Sequence, residues 1–252
     1  MGIGDELMRA GEARRRAEGS NRRYLMLNKR GEPVWHPVWE GHPNIARPHE
    51  RFDDVMRMPE GRRDYIADIG LTQYIFKQYS PAAAPIVLPP HSKQLAARTA
   101  GAVVFNPTIK PRASPNKDWG LERWTALVAA CSDLRWVQLG EPGGPRIRGA
   151  EFIPTGAFLD ACALLSGARA AVLHEGALHH AAAAVNVPAV VIRGGFISPQ
   201  VTGYSSQVSM YIEDARYPLG CGMRYACPHC AEAMASITPQ RVAEALRKLL
   251  AC

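Results

Sequence analysis

From residue 102 onward the chain alternates short apolar runs with segments spaced like helices. The apolar runs are Ala102–Asn106 (AVVFN), Trp136–Gly140, Glu151–Pro154, Ala170–Leu173 and Ala189–Arg193. Each has the length of a strand and is apolar nearly throughout, which is the pattern of strands buried on both faces of a parallel sheet. Helical spacing separates them at Leu121–Cys131, Gly156–Ser166 and Ala177–Val185. Thr238-Pro239-Gln240 then opens an amphipathic last helix, with Val242, Leu246, Leu249 and Leu250 on its inner face. Strands alternating with helices predict an α/β protein with a doubly wound parallel sheet.

The first 95 residues are less regular. Leu7, Ala10, Ala13 and Ala17 place small apolar groups at helical spacing and predict a helix over 6–18, followed by a strand at Tyr24–Asn28. Residues 29–50 are too rich in Pro, His and Trp for a regular helix. Asp54–Met58 and Ile86–Leu88 read as weaker strands around a helical Tyr65–Tyr79. The prolines of Ser80–Pro90 mark a linker and place a domain boundary near residue 95, dividing the chain into 1–95 and 96–252.

Composition narrows the class. Hydrophobic residues make up 47% and charged residues 21%, enough apolar content for a proper core. No apolar run approaches the ~20 residues that span a bilayer. The opening MGIGDELMRAGEARRR has no apolar signal core, which predicts a cytoplasmic protein. Six cysteines in that setting predict thiols rather than disulfides. The net charge of +7 is spread over both halves, with local clusters at Arg14, Arg15, Arg16, Arg22 and Arg23 and at Lys110, Arg112 and Lys117. The first cluster fits a solvated face, and also an anionic membrane surface or a nucleic acid.

Five segments carry candidate chemistry. In Ala170–Gly195 (AAVLHEGALHHAAAAVNVPAVVIRGG) the turn His174-Glu175-Gly176 joins a strand to a helix carrying His179 and His180, and a second strand closes on Gly194. Unpaired N–H groups and the positive end of the helix dipole meet at such a turn, which suits a phosphate. Asn106–Trp119 leaves another strand end with the polar and basic side chains of Thr108, Lys110, Arg112, Ser114, Asn116 and Lys117, fit for a pyrophosphate or simply an exposed basic loop. Glu141, in the glycine turn after Trp136–Gly140, could accept ribose hydroxyls, although glutamates in such turns are commonly just solvated. Asp5, behind Gly2 and Gly4, serves as a helix cap in the commoner reading and as a base facing a cleft in the other. Cys221, Cys227 and Cys230 (C-x5-C-P-H-C) lack a convincing fourth ligand, with His229 and Cys252 the candidates. The spacing favours free thiols packing a loop over structural zinc. A redox pair is disfavoured, because the segment does not read as a strand leading into a helix.

Taken in order, these motifs resemble glycosyltransferase family 9, the ADP-heptose:lipopolysaccharide heptosyltransferase group. NPTIKPRASPNKDWGLERW is similar to that family's lysine loop, VQLGE to its glycine-glutamate turn, and HEGALHH to its D-[ST]-G-x-x-H signature. GIGDELMRAG resembles its glycine-x-glycine-aspartate start. His174 and Glu175 stand where the signature has Asp and Ser/Thr, and the amino-terminal half is shorter than usual. The resemblance implies a GT-B-like fold with two Rossmann-like parallel-sheet domains. Residues 1–95 would form a reduced acceptor side and 96–252 the nucleotide-sugar side, with the last helix packing back on the first half. It implies inverting, metal-independent transfer of a hexosyl or heptosyl group from a nucleotide-diphosphate donor to a glycan or lipid-linked glycan. Asp5 would be the base. Thr108 and Lys117 would hold the phosphates, Glu141 the ribose, and Gly176 with His179 the pyrophosphate side, with Lys110, Arg112, Ser114, His174, Glu175 and Gly194 around the donor. Two alternatives stay open: a transferase acting on modified bases of phage-type DNA, suggested by the compact first half and the arginines, and a non-catalytic relative that binds a nucleotide or nucleic acid.

Overall fold

The computed structural model describes residues 2–57, 63–110 and 115–251. In chain order the first part holds α1 (Ile3–Arg16), β1 (Tyr24–Leu27), β2 (Ile45–Ala46), β3 (Asp54–Arg57), β4 (Ile66–Ile69) and β5 (Tyr74–Phe76). Then come α2 (Ser92–Ala97), β6 (Val103–Phe105), α3 (Leu121–Ala130), β7 (Trp136–Gly140), β8 (Glu151–Pro154) and α4 (Phe158–Gly167). The last part holds β9 (Ala170–His174), α5 (Ala177–Ala184), β10 (Ala189–Gly194), α6 (Pro199–Thr202), β11 (Gln207–Tyr211), α7 (Pro228–Ser236) and α8 (Pro239–Ala251).

A six-stranded parallel sheet runs β11-β10-β9-β6-β7-β8, and a three-stranded parallel sheet runs β2-β1-β3. β6, β7, β9 and β10 are buried at every position, the continuous burial that their apolar sequences require. One face of the large sheet packs on α3 and α8, where Trp124, Leu127, Val242 and Leu246 are buried together. That shared interior places the last helix on the large sheet rather than back on the amino-terminal half. The opposite face continues without a break into the amino-terminal part. Leu7, Ala10 and Ala13 of α1 and Tyr24 and Met26 of β1 share one core with Val104, Leu139, Ala181 and Val191.

Two expected elements change. The stretch expected as a helix at 65–79 is the antiparallel hairpin β4–β5, with Ile66 opposite Phe76 and Gly70 N–H donating to Gln73 O at 2.9 Å in the turn. Tyr65, Ile66 and Phe76 are buried against Phe196, Val201 and Cys221, and this tertiary packing overrides local helical spacing. Ile86–Leu88 forms no strand, because the flanking Pro85 and Pro89 remove ladder donors and Ile86 and Leu88 rest on the core directly. The expected linker, Ser80–Pro90, has no regular structure and lies along α1: a Cβ on Gly11 would sit 1.9 Å from Ala82 O. Among the described residues no helix is long and apolar enough to cross a membrane.

Candidate active site

The order of the large sheet locates the site. The chain winds outward from β6 to β7 and β8, then returns to place β9 on the other side of β6. The winding reverses between β6 and β9, and a crevice opens at the carboxyl ends of strands at such a point. A cavity of about 410 Å³ lies there, lined by the segments that leave β6 and β9, by the first turn of α1 and by the β4–β5 hairpin.

The segment after β6 brings Thr108, Lys110 and Lys117 to the cavity wall. Asn106 Oδ1 accepts from Thr108 N at 2.9 Å and Thr108 Oγ1 at 2.7 Å, a side-chain turn that fixes the threonine without regular structure. Lys117 ends a short 3₁₀ turn, Pro115–Lys117, and its side chain is 15% exposed. The ammonium pairs with Glu175 and lies 5.0 Å from the centre of the Phe196 ring. Arg112 and Ser114, expected on this loop, lie outside the described residues.

After β9, His174, Glu175, Gly176 and Ala177 line the same cavity. Burial is the largest influence on the Glu175 carboxyl and raises it, but the surrounding positive groups, Lys117 first and Arg193 among the rest, together outweigh burial and hold the group far below the usual carboxylate range. His174 is buried and pushed down to about 3 by desolvation and by Lys117, so it is neutral. Its Nε2 accepts from Trp119 N at 3.2 Å, which puts the proton on Nδ1, an atom with no partner among the described residues. His179 stands behind the wall with its ring nitrogens engaged. Nδ1 accepts from Gly176 N at 2.8 Å, and Nε2 donates to Thr202 O at 2.8 Å. Desolvation pushes it down to about 4, so its proton stays in that arrangement and it acts as the cap of α5. His180, in contrast, does line the cavity, held by a 2.8 Å bond between Nδ1 and Tyr204 Oη. The atoms of Glu175, His179 and His180 are close enough to suggest a metal. However, Lys117 already neutralises Glu175, and His179 has no free lone pair.

Across the cavity stands Asp5. Its carboxylate accepts from Gly2 N at 3.0 Å, from Arg63 Nε at 2.9 Å and from Tyr65 Oη at 2.9 Å. Asp5 thus caps α1 and faces the cleft at once. Gly4 allows the approach of the two helices, since a Cβ there would lie 2.9 Å from His180 Cδ2. Burial first, and then the neighbouring Asp5 charge, push the Tyr65 hydroxyl well above its ordinary value, so it remains a hydrogen-bond donor.

Other expected residues lie elsewhere. Glu141 is exposed in the turn after β7, one strand away from the reversal, and Gly194 packs under Met234; neither lines the cavity. Much of the arginine cluster serves structure. Arg14 and Arg15 donate to Ala83 O and Ser80 O, Arg16 pairs with Glu12, and Arg23 pairs with Glu50. Arg63, Tyr65, Tyr74 and Phe196 line the cavity without a sequence signal beyond the aromatic alternation of the hairpin.

No family model matches the sequence, and no curated protein matches it. Solved structures do. A glycosyl transferase family 9 structure from Veillonella parvula is 14% identical and superposes with a TM-score of 0.67 over 99% of this chain and 95% of that one. The iron-containing dodecameric glycosyltransferase TibC from enterotoxigenic E. coli is 16% identical, with a TM-score of 0.65 over 99% of this chain and 74% of that one. E. coli ADP-heptose lps heptosyltransferase II is 20% identical, with a TM-score of 0.50 over 66% of this chain; the match takes in only 53%, about half, of the enzyme's length. At these identities the likeness is one of fold: the chain has the GT-B-like α/β architecture of heptosyltransferase-like glycosyltransferases.

Proposed function

We propose that this GT-B-like chain is an inverting glycosyltransferase that takes a sugar from a nucleotide-diphosphate donor without a catalytic metal. One observation carries the reading. Asp5 on α1 and Lys117 beside the α5 amino end, brought from distant parts of the sequence, face a single cavity at the point where the sheet reverses.

The chemistry follows from that opposition. In glycosyl transfer the bond between the anomeric carbon and the phosphate oxygen breaks, and the electron pair leaves with the diphosphate. Lys117 and the open N–H groups of the first turn of α5 would meet that negative charge as it develops. On the opposite side Asp5 would take the acceptor hydroxyl proton as the new carbon–oxygen bond forms, so attack and departure occur on opposite faces and the anomeric configuration inverts. Arg63 and Tyr65 would hold the carboxylate in place, and Glu175 would keep Lys117 aimed into the cavity until a diphosphate shares its charge. Thr108 and Lys110 would supply further donors around the phosphates. A glycan or lipid-linked glycan acceptor would enter past Asp5, beside the β4–β5 hairpin.

The test pairs binding with turnover. A thermal-shift screen against ADP-, GDP-, UDP- and CDP-sugars identifies the donor, because a ligand bound only by the folded chain raises the melting temperature. With that donor, Asp5→Asn should abolish transfer while the thermal shift persists. Undiminished transfer in Asp5→Asn would remove Asp5 from the base role.

A further inference from the structure

The cysteine segment, which the proposed chemistry leaves unused, has a geometry of its own. Cys221, Cys227, His229 and Cys230 each offer one ligand atom, and all of these atoms lie within 4.8 Å of one another. Cys221 Sγ and Cys227 Sγ are 3.6 Å apart, and Cys230 Sγ is 3.8 Å from His229 Nδ1. Four ligands at tetrahedral corners around zinc, with bonds of about 2.3 Å to sulfur and slightly less to nitrogen, have edges of roughly 3.4–3.8 Å. The two close pairs match those edges.

The fourth ligand that the spacing lacked is supplied by the fold. Cys227 precedes α7, and Pro228 opens that helix, so His229 and Cys230 rise from its first turn towards the loop that carries Cys221. The segment enters α7 from an irregular loop rather than from a strand, in keeping with the sequence reading. Gly195 leaves room for the imidazole, since a Cβ there would lie 2.6 Å from His229 Cε1. His229 Nε2 lies 3.3 Å from an Asp214 carboxylate oxygen, while Nδ1, the other ring nitrogen, lies beside Cys230 Sγ. A carboxylate behind the outer nitrogen is the usual way to orient a metal-bound histidine.

We infer that Cys221, Cys227, His229 and Cys230 bind one zinc ion as a closed structural knuckle. Binding takes the three thiols to thiolates, releases their protons to solvent and involves no change of oxidation state. The full ligand set leaves no open position for chemistry. The knuckle holds a junction. Asn116, next to Lys117, accepts from Cys227 N at 3.0 Å and donates to Met223 O and Tyr225 O, each at 2.8 Å. Gln73 donates to Cys221 O at 2.6 Å, Tyr74 N to Gly222 O at 2.8 Å and Arg224 N to Thr72 O at 2.8 Å. The metal therefore fastens the segment that joins the Lys117 turn to the β4–β5 hairpin on the other side of the cleft. This binding site stands whether or not the chain transfers sugar.

The experiment uses the full chain, reduced, stripped by chelation, reloaded with zinc and freed of excess metal. Elemental analysis should give one zinc per chain, and cobalt loaded instead should show the intense visible absorption of a tetrahedral thiolate site. Asp214→Asn should keep the site but weaken zinc about tenfold. Cys227→Ser with Cys230→Ser should lose the metal, whereas Cys131→Ala, at a thiol elsewhere, should retain it. Because the unmutated chain gives the first readout, a variant that fails to fold does not shield the inference. No retained zinc, a Cys221–Cys227 disulfide in the reduced protein, or iron bound where zinc fails to bind would each overturn it.

Discussion

Acidification is the perturbation that most directly tests the buried histidines, in the cleft and away from it. His42, His174, His179 and His180 are all buried, and desolvation lowers each: His42 and His179 to about 4, His174 to about 3, and His180 well below its ordinary value. A histidine whose folded pKa lies below its unfolded value costs nothing while both states are neutral, above about pH 6.5. Below that pH the unfolded chain takes up a proton that the fold refuses. Stability therefore falls by about 1.4 kcal/mol per pH unit for each such residue until the folded value is reached. At pH 5 each histidine has cost about 2 kcal/mol, and four together about 8 kcal/mol, a large share of the ~5–15 kcal/mol typical of a domain. Glu175 works in the same direction but lower down: its depressed carboxyl stabilises above about pH 4.5, and that stabilisation is lost as the pH falls further. Urea midpoints measured by circular dichroism from pH 8 to pH 5 should drop steeply below 6.5, with a slope approaching four protons. His42→Gln, remote from the cleft, should reduce that slope by one. Equal midpoints at pH 8 and pH 5 would show that these imidazoles are not held neutral and would refute the reasoning.

Lys117→Ala should weaken the binding of a nucleotide diphosphate by at least tenfold, read by isothermal titration, while the apo chain still folds. Glu175→Gln leaves the Lys117 ammonium largely buried without its counter-charge, a loss of about 3–5 kcal/mol; the thermal shift on adding a diphosphate should then exceed that of the unmutated chain, because the ligand replaces the missing charge. Gly11→Ala would place a methyl group 1.9 Å from Ala82 O and should lower the melting temperature by forcing the 80–84 segment off α1.

The large sheet was legible because β6, β7, β8, β9 and β10 are short apolar runs bounded by turns, and the β9–α5 unit declares itself through HEG and its alanines. The hairpin was not, because Tyr65 and Phe76 would share one face of a helix as readily as they pair in a hairpin, until Phe196 and Cys221 supply the surface they pack on. β11 escaped for a related reason. As an edge strand it alternates in burial, QVSMY, and lacks the continuous apolar signal of its neighbours. At the cleft, Asp5, Thr108, Lys110, Lys117, Glu175 and Gly176 were legible as strand-end or helix-start residues, and they do line one cavity. Arg63 was not, because its pairing with Asp5 spans 58 positions and no local pattern announces it. Glu141 was misplaced because a glycine turn says that a strand ends, and not how far that end lies from the reversal of the sheet.

The uninterrupted interior beneath the two sheets has a consequence for how the molecule responds to its ligand. Neither Leu7 and Met26 on one side nor Val104 and Val191 on the other enclose an oil drop by themselves; each completes the other's. Heat should therefore disassemble the whole chain in one cooperative event, and a molecule that grips the crevice from both walls should steady every strand at once.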